Sequence, residues 1–323
     1  MTTPIVPSTL IPPPIAPVPT GTPRPLWSVM IPTFNCADYL RQTLTSVLAQ
    51  APGPDEMQIE VVDDCSTKDD PEAVVREAGR GRVAFHRKAK NGGAIHNFNT
   101  CIERSRGHLV HILHGDDMVL PGFYQRLAAA AQAQPQLALY ACRSFFVNEE
   151  NIISHVSIRV PALEAAGRFP EHFFYGTPLQ TPSVVVRRSF YEEHGGFLPA
   201  LVHTADCEMW TRAVALGGGI IVPEVLCQYR TFAANDSGRL ARTAENLRDA
   251  ERLHDIFAQR HPGFDSNRAL IRVAYLAQNQ IRLFRQQGDA QAVAANVAFW
   301  KECIPLKLRL RTALVNLGRR FGG

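Results

Sequence analysis

The sequence predicts an α/β fold: a Rossmann-like, mostly parallel sheet flanked by helices and followed by a helical C-terminal region. Three observations predict it. Short apolar runs alternate with helical patterns from Trp27 to Tyr140. Loops rich in acids or glycine follow several of those runs, at the strand ends where open α/β sheets hold ligands. From about Ala241 onward Ala, Leu, Arg and Gln dominate, with apolar residues at helical spacing.

Trp27-Ser28-Val29-Met30-Ile31 reads as a buried strand stopped by Pro32, and Leu40, Leu44, Val47 and Leu48 then follow one helical face. Gln58 to Val62 reads as a second strand. Asp70 as cap and Pro71 at the first helical position open a second helix. Val83 to His86 is a short strand, and Gly92-Gly93 leads into a helix carrying Phe98 and Ile102. His108 to Leu113 is a further buried strand, Pro121 opens the next helix, and Leu137 to Tyr140 closes the regular alternation. Residues 145–182 look irregular. Ser183 to Val186 reads as a strand, His203 to Leu216 as a helix, and Ile220–Val222 and Val225–Tyr229 as two more strands.

Three domains are expected: a Pro-rich, disordered or extended segment 1–24, a catalytic domain 25–238, and a helical region 239–323. Met1 to Pro23 carries eight prolines and no charged side chain, which excludes helix and sheet ladders there. It also lacks the basic start of a signal peptide. No run reaches the ~18 apolar residues of a membrane span. A net charge of +4 is too mild to argue for nucleic acid. Seven scattered cysteines, none in C-x-x-C spacing, fit reduced thiols in a cytoplasmic protein better than a zinc site.

Four motifs fall at strand or helix ends. The loop Pro32-Thr33-Phe34-Asn35 offers backbone groups to a base or ribose, or is a plain turn. Asp63 and Asp64 end the second strand, where a carboxylate can accept from a ring N–H or a ribose hydroxyl; Asp69 or Asp70 suits helix capping better. In Leu113-His114-Gly115-Asp116-Asp117, neighbouring acids at a strand end form a hard-cation site that a diphosphate can complete, or an acidic turn before Pro121. Asp206, at the start of the His203 helix, is either an N-cap or a general base for an acceptor hydroxyl.

Taken in order, these motifs resemble the family 2 inverting glycosyltransferases, whose fold is GT-A. The resemblance covers roughly residues 26–235. It is carried by Pro32-Thr33-Phe34-Asn35, Val62-Asp63-Asp64-Cys65-Ser66-Thr67, Lys90-Asn91-Gly92-Gly93, Thr181-Pro182-Ser183, Gly195-Gly196-Phe197, Asp206 and Tyr229-Arg230. It implies that Pro32, Thr33, Asn35, Asp63, Asp64, Asn91, Gly115 and Asp116 bind a nucleotide-diphosphate sugar of UDP, GDP or dTDP type. It implies a divalent Mn²⁺ or Mg²⁺ on Asp116, with His114 as a further candidate ligand, and Asp206 as the base of an inverting transfer. Asp117, Trp210 and Tyr175 are candidate acceptor or support residues, beside His172, Phe173 and Phe174.

The family pattern is D-x-D-D, and this chain has His114-Gly115-Asp116-Asp117. That departure favours the alternative of an inactive nucleotide-sugar-binding or scaffold protein; retention of Asp64, Asp116 and Asp206 argues against it. A dinucleotide enzyme would need G-x-G-x-x-G after the first strand, and the chain has no glycine there. The Q-x-x-R-W motif of polymer-forming synthases is missing, which implies non-processive transfer. Cell-surface polysaccharide or glycoconjugate synthesis is the expected setting, with a saccharide or lipid-linked acceptor. Residues 301–323 hold six basic side chains and one acid, with Leu306, Leu310, Leu314, Leu317 and Phe321 on one helical face. Such a helix suits peripheral contact with the inner face of a membrane, packing on its own domain, or a homodimer.

Overall fold

The computed structural model describes residues 10–164, 171–232, 235–306 and 308–309. It divides into two compact units. Unit 1 takes in residues up to Phe173, Thr177–Ala200 and Ala205–Thr231; unit 2 takes in Phe174–Gly176, Leu201–Thr204 and the chain from Phe232.

Unit 1 is a mixed sheet with helices between its strands. The order is β1 (Trp27–Thr33), α1 (Ala37–Leu48), β2 (Met57–Asp63), α2 (Pro71–Gly79), β3 (Ala84–Arg87), α3 (Ala94–Arg104), β4 (Leu109–Ile112), β5 (Met118–Val119), α4 (Phe123–Ala133) and β6 (Leu139–Val147). It continues through β7 (Ile153–Val156), α5 (Pro161–Glu164), β8 (Val184–Arg187), α6 (Arg188–His194), α7 (Ala205–Gly217) and β9 (Gly219–Arg230). The strands lie in the order β3-β2-β1-β4-β8-β6-β9-β5, with β7 pairing β6. Pairing is parallel from β3 through β4 and between β6 and β9, and antiparallel at β4–β8, β8–β6, β6–β7 and β9–β5.

Every residue of β1 is buried, which explains its unbroken apolar run. Pro32 extends this strand instead of stopping it. Its carbonyl accepts from Gly115 N (3.1 Å). The N–H it lacks would point to the same side, where pairing with β4 has already ended at Ile112. Asp70 caps α2 as expected, accepting from Ala73 N (3.2 Å). Asp69 does something else: it accepts from Ala37 N (2.8 Å) at the start of α1. The two short strands expected after residue 219 are one, β9, whose pairing with β6 shifts register between Ala141 and Ser144. The stretch expected to be irregular contains the end of β6, β7 and α5.

The N-terminal segment is extended over its described part, and it is packed. Ile15 is buried. Pro13 O accepts from Gly196 N (2.8 Å), and Ala16 O accepts from the Arg188 guanidinium (3.3 Å). Gly195 sits at φ +80°, and a Cβ there would come within 2.8 Å of Pro12. These contacts seat the described part of the segment on unit 1. Residues 1–9 lie outside the described residues.

Unit 2 holds α8 (Asp236–Arg242), α9 (Glu245–Arg260), α10 (Ser266–Gln286) and α11 (Ala290–Cys303). Asn235, Asp265 and Asp289 cap three of them by accepting from Gly238 N, Arg268 N and Ala292 N. Its core gathers Ala244, Leu247, Val273, Ala274, Ala277, Phe299 and Ile304. Asp249, fully buried, accepts from three successive backbone N–H groups, those of Val202, His203 and Thr204 (2.7–3.1 Å). The amphipathic end expected over 301–323 falls largely on residue 307 and residues 310–323, which lie outside the described residues. No helix among the described residues is long and apolar enough to cross a membrane.

Candidate active site

The site lies where β1, β2 and β4 end side by side. Parallel pairing sets Thr33 against Asp63, and β1 against β4, so three motifs far apart in sequence meet at one edge.

The loop after β1 is knitted to the loop after β2. Asn35 takes a left-handed conformation (φ +51°). Its Oδ1 accepts from Thr67 N (2.9 Å) and Lys68 N (3.0 Å), and its own N–H donates to the Ser66 hydroxyl (2.9 Å). Asp64 N donates to Thr33 O (2.9 Å). Asp63 and Asp64, expected as nucleoside contacts, are both buried and both engaged within the protein. Asp63 accepts from Ser66 N, the Ser66 hydroxyl (2.6 Å) and Arg87 Nε (2.7 Å). Asp64 accepts from Lys88 Nζ (2.6 Å), Gly92 N (3.0 Å) and Gly93 N (2.8 Å). It thereby shapes the Lys90–Gly93 turn, in which the Asn91 side chain accepts from Gly93 N (3.1 Å). These two acids build the loops, while Asn91 is exposed.

The loop after β4 presses close to the first one. A Cβ on Gly115 would sit 3.0 Å from both Thr33 Oγ1 and Cys36 Sγ, so glycine permits the approach. Burial, with Asp116 nearby, pushes the Cys36 thiol up to about 12, which keeps it protonated and unreactive. The Thr43 hydroxyl of α1 donates to Asp117 O (2.7 Å), with Gly115 O at 3.0 Å.

His114, Asp116 and Asp117 each bring one ligand-type atom within 4.8 Å of the others. Burial and the neighbouring Asp117 push the Asp116 carboxyl up to about 7. Burial pulls the His114 imidazole down, but Asp117, Asp116 and Asp206 outweigh it and the group titrates above its ordinary value. The cluster holds buried polar atoms without hydrogen-bond partners: His114 Nε2, and Asp117 Oδ2, which has an ion-pair contact with His114 Nδ1 at 3.3 Å. Two carboxylates and an imidazole that lack compensation fit a divalent cation.

Arg230, at the end of β9, holds this loop from behind. Its N–H donates to Asp117 Oδ1 (2.8 Å) and its Nε to Asp116 O (2.9 Å). The rest of the guanidinium reaches Asn148 O, Glu149 O, Gln42 Oε1 and Asn151 Oδ1 (2.8–3.1 Å), and its carbon lies 4.5 Å from the centre of the Tyr39 ring. Thr43 escaped sequence reasoning, and Arg230 enters it only in the Tyr229-Arg230 motif, without a role at the site. Thr43 reads as one more position on the core face of α1, and Arg230 reads as the end of a strand.

Asp206 is in the first turn of α7. It lies inside the helix, one residue past its first, so it is not the N-cap. Its Oδ1 accepts from Cys207 N (2.7 Å), and its charge reaches His114. Trp210 and Tyr175, expected near the acceptor, are spent on packing. Trp210 is buried edge-on against Phe197 (5.6 Å). Tyr175 belongs to unit 2, where its ring stacks on Phe264 (5.4 Å) under Arg268 and its hydroxyl accepts from Asp265 N (3.1 Å). Asp117, the third of these candidates, is buried and accepts from Arg230 N.

Residues 28–194 match the family model described as Glycosyl transferase family 2. The chain belongs to that family. As a family 2 glycosyltransferase it has the GT-A fold and uses a nucleotide sugar. The protein MT1568 of Mycobacterium tuberculosis is 28% identical over 244 residues, 71% of this chain and 75% of its own length. The putative teichuronic acid biosynthesis glycosyltransferase TuaG of Bacillus subtilis is 36% identical over 96 residues, 29% of this chain and 37% of its own. Among solved structures, S. aureus TarS 1-349 in complex with UDP-GlcNAc superposes with a TM-score of 0.58 at 14% identity, covering 87% of this chain and 82% of that one. The mannosyltransferase PcManGT of Pyrobaculum calidifontis, in complex with GDP-Man and Mn²⁺, gives 0.56 at 22% identity, with coverage of 95% and 82%. At these identities the structures speak for the fold.

Proposed function

We propose that this glycosyltransferase moves one sugar, or a few, from a nucleoside diphosphate to an acceptor hydroxyl with inversion and with the help of a divalent metal. The carrying observation is the His114–Asp116–Asp117 cluster, placed against the loop that ends β1 and holding buried polar atoms without hydrogen-bond partners. Asp116 is the proposed ligand, and the backbone of Pro32–Asn35, with Gly115 and Asn91, the proposed nucleotide cradle. Asp63 and Asp64 support that cradle through the loops they hold.

In the proposed reaction the acceptor oxygen forms a bond to the anomeric carbon as the bond to the diphosphate oxygen breaks. Asp206 takes the hydroxyl proton. The electron pair leaves with the nucleoside diphosphate, whose growing charge a bound divalent ion would stabilise. Likeness to TuaG supports a setting in cell-surface polysaccharide or glycoconjugate synthesis, with a saccharide or lipid-linked acceptor. Likeness to a mannosyltransferase solved with Mn²⁺ supports the metal. A cytoplasmic enzyme touching the membrane through residues 301–323 is part of the same reading, as are the domain limits 25–238 and 239–323. Equal co-sedimentation with anionic liposomes of chains with and without residues 301–323 would remove the membrane contact.

Calorimetry tests the core of the proposal. UDP, GDP and dTDP are titrated with and without Mn²⁺ into the wild type and Asp116→Ala. Binding of one diphosphate that needs both the metal and Asp116 supports it; binding indifferent to both refutes the metal's role.

A further inference from the structure

His114 stands where the family pattern has an acid, and its surroundings prepare it as a metal ligand. Its Nδ1 faces Asp117 Oδ2 at 3.3 Å. That carboxylate is 1% exposed and is anchored at its other oxygen by Arg230 N. In the neutral ring, an acceptor facing Nδ1 favours the proton there and leaves the lone pair on Nε2. Nε2 is buried and has no hydrogen-bond partner. Phe98 lies parallel to the imidazole, 5.2 Å between centres at 17°, which fixes the ring plane. A carboxylate facing one imidazole nitrogen at ion-pair distance while the other nitrogen is bare matches the arrangement that orients metal-binding histidines.

We propose that His114 Nε2 and Asp116 together bind the divalent ion, with Asp117 and Phe98 positioning the ring, and that this donor set makes the enzyme prefer Mn²⁺ and Co²⁺ over Mg²⁺. The inference rests on the proposed function, since it assumes the ion that Asp116 holds. Replacing an acid by neutral imidazole removes one negative charge and one hard oxygen. Mg²⁺ depends on hard oxygens and gives up its water reluctantly. Mn²⁺ and Co²⁺ accept imidazole nitrogen, Co²⁺ more tightly.

The test uses the full chain and two readouts besides turnover. Mn²⁺, Co²⁺ and Mg²⁺ are titrated by calorimetry in the presence of UDP and, separately, GDP, for wild type, His114→Asp, His114→Asn and Asp116→Ala. Electron spin-echo spectra of the Mn²⁺ complexes then report whether a nitrogen is bound. The wild type should show ¹⁴N modulation that both His114 variants lose. His114→Asp should lower the Mn²⁺-to-Mg²⁺ affinity ratio about tenfold or more. The asparagine variant, similar in size and uncharged, keeps the test open if the added acid disturbs folding. Mn²⁺ binding that needs Asp116 but shows no His114-dependent nitrogen overturns this inference alone. Mn²⁺ binding that ignores Asp116 overturns the proposed function as well.

Discussion

Arg230 and Asp117, 113 residues apart in sequence, are joined by a 2.8 Å hydrogen bond from the arginine backbone N–H to the carboxylate. The bond ties the last strand of unit 1 to the loop that carries the acidic cluster. The same arginine's side chain holds Asp116 O and the turn after β6. Arg230 is 1% exposed and its guanidinium makes five polar contacts, so removing it leaves several part-buried acceptors unpaired.

Arg230→Lys should therefore destabilise unit 1 by on the order of 3 kcal/mol, because an ammonium cannot reproduce the fork. Chemical denaturation checks the loss. At temperatures where the variant stays folded, its Mn²⁺ affinity should also fall, since the Asp116 backbone loses its anchor. Unchanged stability would show that the contacts are dispensable.

Gly115→Ala tests the approach of the two loops. The new Cβ would meet Thr33 Oγ1 and Cys36 Sγ at 3.0 Å, tighter than ordinary packing. We expect a cost of about 1–3 kcal/mol. Nucleotide-diphosphate affinity should fall with it, while the same substitution at Gly263, where a Cβ meets nothing, should do neither.

Asp206→Asn should lower kcat by roughly 10²–10⁴ with little change in nucleotide binding, the signature of a lost general base. A parallel fall in nucleotide affinity would instead assign Asp206 to donor binding. Steady-state kinetics alongside calorimetry separates the two.

Stability should fall as pH drops from about 6.5 to about 4. Burial pulls His111 down to about 4, in a site where Nε2–H donates to Pro182 O (2.9 Å). The folded value lies below the unfolded one, so the unfolded chain binds the extra proton between these limits. The contribution is complete above about 6.5 and gone below about 4, and amounts to about 3 kcal/mol. Denaturation midpoints across this range, for wild type and His111→Asn, measure it; equal slopes would contradict it.

Much of the fold was legible because its signals are local. The buried run of β1, the Asp70-Pro71 start of α2 and the Gly92-Gly93 entry to α3 each name their element within a few residues. What was not legible depends on partners distant in sequence. Asp63 and Asp64 look like ligand contacts until Arg87, Lys88 and the Gly92–Gly93 amides are seen to occupy them. Tyr175 and Trp210 look like sugar-binding aromatics, but only packing partners decide whether a ring is exposed, and theirs bury them. Asp69 is a cap, yet for α1 rather than the helix that follows it. The proline-rich start carries no helix or strand signal, and its docking on Gly195 and Gly196 is a matter of surface fit.

The central claim is that Asp116 joins a metal to a nucleoside diphosphate at the end of β4. Calorimetry of UDP, GDP and dTDP, with and without Mn²⁺, on the wild type and Asp116→Ala addresses it most directly. The account predicts tight binding of one diphosphate only when Mn²⁺ and Asp116 are both present. Equal binding without the metal, or undiminished binding by Asp116→Ala, would contradict it.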